Sequence, residues 1–181
     1  MIKDEIFLIE NLIDIDYLSL LVNWLSASEP NRREGQKSTL GTYNIPLDLH
    51  EGFCDLYLKS KKEIENFYNV SLHDEHFSNV IEYKIGDILE LHTDNLEYLD
   101  GELSYNASTS TGHLRQISSV LYLNDTYTGG EIDFPNLSIK MKPKAGTLIA
   151  FPSADQSFLH QVVEITSGKK WVAPCFWSIK D

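Results

Sequence analysis

Cysteine is nearly absent: Cys54 and Cys175 are the only two in 181 residues. They share no Cys-x-x-Cys spacing, so cysteine alone cannot build a metal cluster, and a disulfide framework is excluded as the basis of the fold. Long hydrophobic runs are missing too, with no window near the roughly 18 consecutive apolar residues of a membrane helix. The N-terminus offers one lysine before Asp4 and Glu5, then a short apolar run broken by Glu10 and Asn11. That start lacks the basic segment and cleavage site of a signal peptide, so a cytoplasmic protein with reduced thiols is expected. Basic charge is also scarce: 15 Lys and Arg stand against 27 Asp and Glu, a formal charge of −12. Proteins that track a phosphate backbone carry basic stripes, because their cations replace released counterions. The short runs at 59–62 and 140–144 read instead as solvated faces of a helix and a hairpin. Nucleic acid and membrane are therefore not expected as partners.

What remains suits one globular domain over residues 1–181, with 42% hydrophobic and 11% aromatic residues for its core. Residues 1–78 read as mostly helical support. Ile6–Ile9 suits a short strand, and Asp14 or Asp16 can cap a helix to about Ser28, with Tyr17, Leu20, Leu21, Trp24 and Leu25 at helical spacing. Ser28–Gly41 reads as loop. Residues 47–69 form a second amphipathic helix whose Phe53, Leu56, Tyr57, Ile64 and Phe67 are read as core. From Asn79 the pattern changes to strands punctuated by turns, at 79–85, 88–92, 115–124, 130–134, 137–142, 146–151, 159–165 and 171–178. About eight short strands without alternating helices favour a jelly roll or sandwich over a parallel sheet. The polar stretch 93–114 has the composition of a lid or binding loop.

His92-Thr93-Asp94 is the first chemical signal. On an extended chain residues two apart face one side, so an imidazole and a carboxylate can point together from a strand's end. With a second histidine they make the facial triad of a non-haem Fe(II) oxygenase, which leaves positions open for 2-oxoglutarate and O2. His160 lies in the apolar stretch Phe158–Val163. Taken alone it is more often a satisfied core histidine than a ligand. Past the Ser167-Gly168 turn comes Lys169-Lys170; a hairpin there returns the chain beside His160 and brings a cation next to the metal. A buried dicarboxylate requires such a cation. His73, Glu75 and His76 form a rival concentration of ligand types, but in a polar connection after the second helix, where exposed loop is the expectation.

Taken together, these residues resemble the prolyl 4-hydroxylase group of 2-oxoglutarate/Fe(II) dioxygenases. Ile81–Gly86 running to His92-Thr93-Asp94, Arg115 with Val120–Asn124, Gly129-Gly130-Glu131 with Phe134-Pro135, and Lys142–Thr147 with Phe151 carry the likeness. The resemblance implies a mainly β (α+β) double-stranded β-helix, or jelly roll, with supporting N-terminal helices. It also implies roles: iron on His92, Asp94 and His160, the distal 2-oxoglutarate carboxylate on Lys170 and Tyr122, and Tyr83 lining the pocket. Neighbours on a strand face opposite ways, and Lys170 is preferred to Lys169 because the ten-residue interval from His160 fits it better. The implied activity consumes O2 and 2-oxoglutarate, releases succinate and CO2, and uses ascorbate as reductant.

The substrate is more open. A prolyl residue in a peptide or protein fits the resemblance, with Tyr98, Tyr105, Trp24 or Trp177 as candidates to pack on its ring. A free amino acid, a small metabolite or another protein side chain is the alternative. A non-catalytic jelly-roll binding module and a zinc hydrolase are further readings, and oligomeric state is not legible.

Overall fold

The computed structural model describes residues 5–28, 38–75, 77, 79–95, 97–99, 102–104, 109 and 111–180. Helix α1 (Ile15–Ala27) begins at Asp14, whose carboxylate accepts the N–H groups of Asp16 and Tyr17 at 3.0 and 3.1 Å. Such a cap satisfies donors that the first helical turn leaves unpaired. Leu18, Leu21 and Leu25 form its buried stripe. Helix α2 (Leu47–Tyr68) buries Phe53, Leu56, Ile64 and Tyr68, and Asn69 ends it in the left-handed region at φ 54°.

The strands in chain order are β1 (Phe7–Ile9), β2 (Ser38–Gly41), β3 (Asn79–Tyr83), β4 (Leu89–His92), β5 (Glu97–Leu99), β6 (Glu102–Ser104) and β7 (Ile117–Tyr122). They continue as β8 (Thr128–Gly129), β9 (Ile132–Phe134), β10 (Ile139–Met141), β11 (Leu148–Pro152), β12 (His160–Val162), β13 (Ile165–Ser167) and β14 (Lys170–Trp177). A six-stranded sheet runs β1-β11-β7-β14-β3-β2 and a four-stranded sheet runs β10-β9-β12-β4, with β13-β8 and β5-β6 as small pairs. Their pairings are antiparallel. The fold is a jelly roll with helices on one side, as the sequence implied.

Two cores follow from the period of two along the strands. Val80, Leu121, Ala150, Trp171, Ala173 and Trp177 face α1 and α2. Tyr83, Tyr122, Phe151 and Val172 face the other way and meet Ile132, Phe134 and Val162 of the four-stranded sheet. Trp24 and Trp177 therefore belong to the helix side: Trp177 is fully buried and stacks on Tyr57 at 5.3 Å, and Trp24 packs on the same core. Neither is available to a substrate ring. Tyr105 lies outside the described residues.

Several strand expectations need correction. The end of the 28–41 stretch is β2, with Thr39 opposite Ile81; four residues are too few for alternation to show, and β3 supplies their register. The 93–114 stretch contains the β5–β6 hairpin, with Tyr98 opposite Leu103. The single strand expected over 159–165 breaks after Val162, and β13 leaves to pair with β8. The Ser167-Gly168 turn does not return the chain alongside β12. Instead β14 runs in the facing sheet between β7 and β3, so Lys170 approaches His160 from across the barrel.

Candidate active site

A cavity of about 450 Å³ lies between the two sheets and is lined by His92, Asp94, His160, Tyr83, Tyr122 and Lys170, among others. Strand register brings the histidines together: His160 is the direct antiparallel partner of His92, and their ring centroids are 4.4 Å apart. Asp94 follows two residues past His92, just beyond the end of β4. Its carboxylate oxygens lie 3.3 Å from His92 Nε2 and 3.7 Å from His160 Nε2. One ligand atom from each residue falls within 4.8 Å of the others, and no other such group occurs among the described residues.

The surroundings set the chemical state of these groups. His92 Nδ1 meets the Glu90 carbonyl at 2.7 Å, and His160 Nδ1 meets the Phe158 carbonyl at 3.0 Å. A carbonyl can only accept, so both rings carry a proton on Nδ1 and turn Nε2 toward the shared point. Burial between Phe134 and Phe151 lowers the His160 pKa and keeps the ring neutral, as a metal ligand must be. Burial pushes the Asp94 carboxyl up, but His92, His160 and Ser118 together hold it below the usual carboxylate range. Two imidazoles and one carboxylate around a common point suit Fe(II).

Deeper in the cavity Lys170 is buried, 1% exposed. Its ammonium donates to the Gly130 carbonyl at 2.8 Å and lies 5.1 Å from the Tyr122 ring centroid and 5.2 Å from that of Tyr83. Asn124 fixes this orientation by accepting the Trp171 N–H and donating to the Lys169 carbonyl, at 2.8 and 2.7 Å. Lys169 points the other way, 3.0 Å from the buried carboxylate of Glu82.

Similarity to known proteins decides the family. Residues 78–178 match the 2OG-Fe(II) oxygenase superfamily. The chain belongs to that family. It is 30% identical over 157 residues, 82% of its length, to an Acanthamoeba polyphaga mimivirus protein provisionally named a prolyl 4-hydroxylase, and spans 60% of that relative. The 2-oxoglutarate complex of a viral collagen prolyl hydroxylase from Paramecium bursaria Chlorella virus-1 superposes with a TM-score of 0.69 at 23% identity, covering 97% of this chain and 96% of that one. A Trichoplax adhaerens prolyl hydroxylase, complexed with a peptide fragment of a hypoxia-inducible factor, gives 0.68 at 15% identity over 97% and 84%. These structural likenesses fix the fold as that of a 2-oxoglutarate/Fe(II) oxygenase.

In this member of the superfamily the cavity has a second end that sequence reasoning left unassigned. The Arg115 guanidinium lies 3.8 Å over the Phe176 ring and donates to the Asp94 carbonyl at 3.2 Å. Asn95 donates to the Arg115 carbonyl at 2.6 Å. Thr39 of β2, Thr109 and Pro174 also line the cavity. Strand alternation from Lys170 through Val172 and Pro174 to Phe176 could have found Phe176; nothing local could have found Thr39. The structure also overturns the exposed-loop expectation at Glu75, whose side chain is fully buried. His76 lies outside the described residues.

Proposed function

We infer that this chain is an Fe(II)- and 2-oxoglutarate-dependent dioxygenase that hydroxylates a prolyl residue in a peptide or protein and releases succinate and CO2. Convergence of His92, Asp94 and His160 in one cavity with the buried Lys170 carries the reading. The three ligand side chains would hold the metal, which with 2-oxoglutarate supplies oxidising power for inserting one oxygen atom of O2 into a C–H bond. Lys170 would neutralise the distal carboxylate of 2-oxoglutarate, Tyr122 would hydrogen-bond to it, and Tyr83 would line the pocket. Burial keeps all three phenols, Tyr83, Tyr122 and Tyr127, protonated as donors, because it raises their pKa values. The apolar walls exclude water from the reacting centre. Residues 1–181 act as one oxygenase domain in this reading, with 93–114 as its lid.

A prolyl substrate is supported by the named relatives and by an open end where Arg115, stacked on Phe176, offers a flat cationic surface beside Asp94. Ascorbate would serve as reductant. Cytoplasmic residence fits the two free thiols, and no described helix is long and apolar enough to cross a membrane. Two measurements test the assignment. Anaerobic Fe(II) with 2-oxoglutarate should give a weak visible charge-transfer band, and proline-rich peptides should raise succinate formation and gain one oxygen by mass. A band without peptide response, beside a responsive free amino acid, would remove the prolyl substrate and leave the reaction class standing.

A further inference from the structure

Glu75 lies outside the iron set, yet it is a built-in feature of the fold. Leu72 bridges to Ile179, and the His73 N–H donates to the Ser178 carbonyl at 2.9 Å. The Glu75 N–H donates to the Tyr57 hydroxyl at 2.8 Å. These ties fix the backbone against the end of β14 and leave the carboxylate fully buried. A buried carboxylate needs convergent donors. Thr111 supplies two, its N–H to Oε2 at 3.2 Å and its hydroxyl to Oε1 at 2.5 Å. A hydroxyl carries one hydrogen, so the Thr111 oxygen must accept from His113 Nδ1, 2.8 Å away. The His113 ring in turn stacks on His73 at 4.0 Å and 15°. Rings lying face to face do not aim their nitrogens at a common point, so the described residues of this cluster form no second metal centre.

The carboxylate grips a short foot that includes Thr109. The Thr109 N–H donates to the His113 carbonyl at 2.6 Å, and the Gly112 N–H donates to the Thr109 carbonyl at 3.1 Å, which folds this foot into a tight turn. Thr109 lines the cavity. Two residues beyond His113 is Arg115, stacked on Phe176. We propose that Glu75 is a positioning residue for the substrate end of the cavity: by holding Thr111 and His113 it sets Thr109 and Arg115, and so governs affinity for the molecule that is hydroxylated. The inference rests on the oxygenase reading of the cavity. Weakening the grip populates forms with Arg115 displaced, and apparent affinity falls by the fraction that stays competent. Lys170 is held by the Gly130 carbonyl, and its neighbours Lys169 and Trp171 by Asn124, contacts made elsewhere than at this foot, so cosubstrate affinity is untouched.

The test compares Thr111→Val, Glu75→Ala and Glu75→Gln in the full chain. With a proline-rich peptide that the wild type turns over, KM should rise about tenfold in Thr111→Val, as loss of one hydrogen bond to a charged group predicts. Glu75→Ala should raise it further and Glu75→Gln, which keeps an acceptor oxygen, less. In all three, kcat and the KM for 2-oxoglutarate should stay within about twofold if the grip acts only through affinity. Amide exchange of residues 111–115, read on the metal-free protein, should accelerate in the same order. Should Glu75→Ala fail to fold, Thr111→Val carries the test, since residue 111 is exposed overall and its N–H still donates to Glu75. Unchanged exchange, unchanged peptide KM, or both KM values rising together would overturn the proposal. A wild type without any 2-oxoglutarate turnover would instead sink the oxygenase reading, whatever the exchange shows.

Discussion

A buried ammonium is tolerable only where polar groups surround it, and at Lys170 the Gly130 carbonyl and the rings of Tyr83, Tyr122 and Tyr127 do so. Its neighbour serves the fold rather than the cavity, since Lys169 and Lys84 lie 3.0 and 3.1 Å from the buried carboxylate of Glu82. The two lysines should therefore fail in opposite ways. Lys170→Met keeps the stem's packing and removes the charge, so the KM for 2-oxoglutarate should rise roughly 10–100-fold, the range expected from losing a charge-assisted hydrogen bond. Iron affinity without cosubstrate should hold. Lys169→Met should lower the thermal midpoint and leave that KM within about twofold, because its ammonium meets Glu82 and not the cavity. Equal effects of the two substitutions on KM would contradict the assignment. That the two would differ was legible in the sequence, because strand alternation sends neighbouring side chains to opposite faces; which one faces the cavity is set by the register of β14, with Lys170 opposite Tyr83. Glu82 and Glu75 were not legible. Each is buried by segments distant in sequence, and local polarity argued for solvent.

At the scale of elements, the pairing of β12 with β4 decides whether two histidines meet, and a slip of one residue would turn one of them away. The strands that carry His92, His160 and Lys170 could be read from alternation and turn residues. What could not be read was their partnering: β14 lies in the opposite sheet from β12, and β2, β5 and β6 are too short to show a period. The β8–β13 pair shows how tightly such short elements are specified. Gly129 has φ 75°, and a Cβ there would sit 2.0 Å from the Glu164 carbonyl oxygen. The sequence reads Thr128-Gly129-Gly130 as a turn; the structure instead places Gly129 in β8, where it makes a close backbone approach. Gly129→Ala should cost on the order of 1–3 kcal/mol for the left-handed backbone alone, before the clash is counted. Because Gly130 gives Lys170 its carbonyl, the same substitution should also raise the KM for 2-oxoglutarate. Urea unfolding and a cosubstrate titration check both effects, and an unchanged midpoint would show that β13 yields freely.

Over the whole molecule, the six-stranded sheet separates a helix-covered core from the core that holds the site, and tyrosines are buried in both. On the helix side, burial pushes Tyr17 and Tyr57 up to about 12, and Tyr68 higher still. On the site side, burial raises Tyr122 and Tyr127. The unfolded chain loses these phenolic protons near the ordinary value of 10.0, while the folded chain keeps them. A group whose folded pKa is raised contributes stability in full below its unfolded pKa and loses it as pH climbs through the folded one. Stability should therefore decline from about pH 10 and fail before the buried phenols titrate in place. In a chain carrying Tyr43→Phe, Tyr98→Phe and Tyr105→Phe, which keeps the six tyrosines of the two cores, phenolate absorbance and circular dichroism followed together on an alkaline titration should then change in one cooperative step. Both cores should open at once, because β7, β11 and β14 present side chains to each of them. Phenolate signal that rises gradually while the dichroism holds would mean that the rings reach water without unfolding, and the burial assigned to both cores would be wrong.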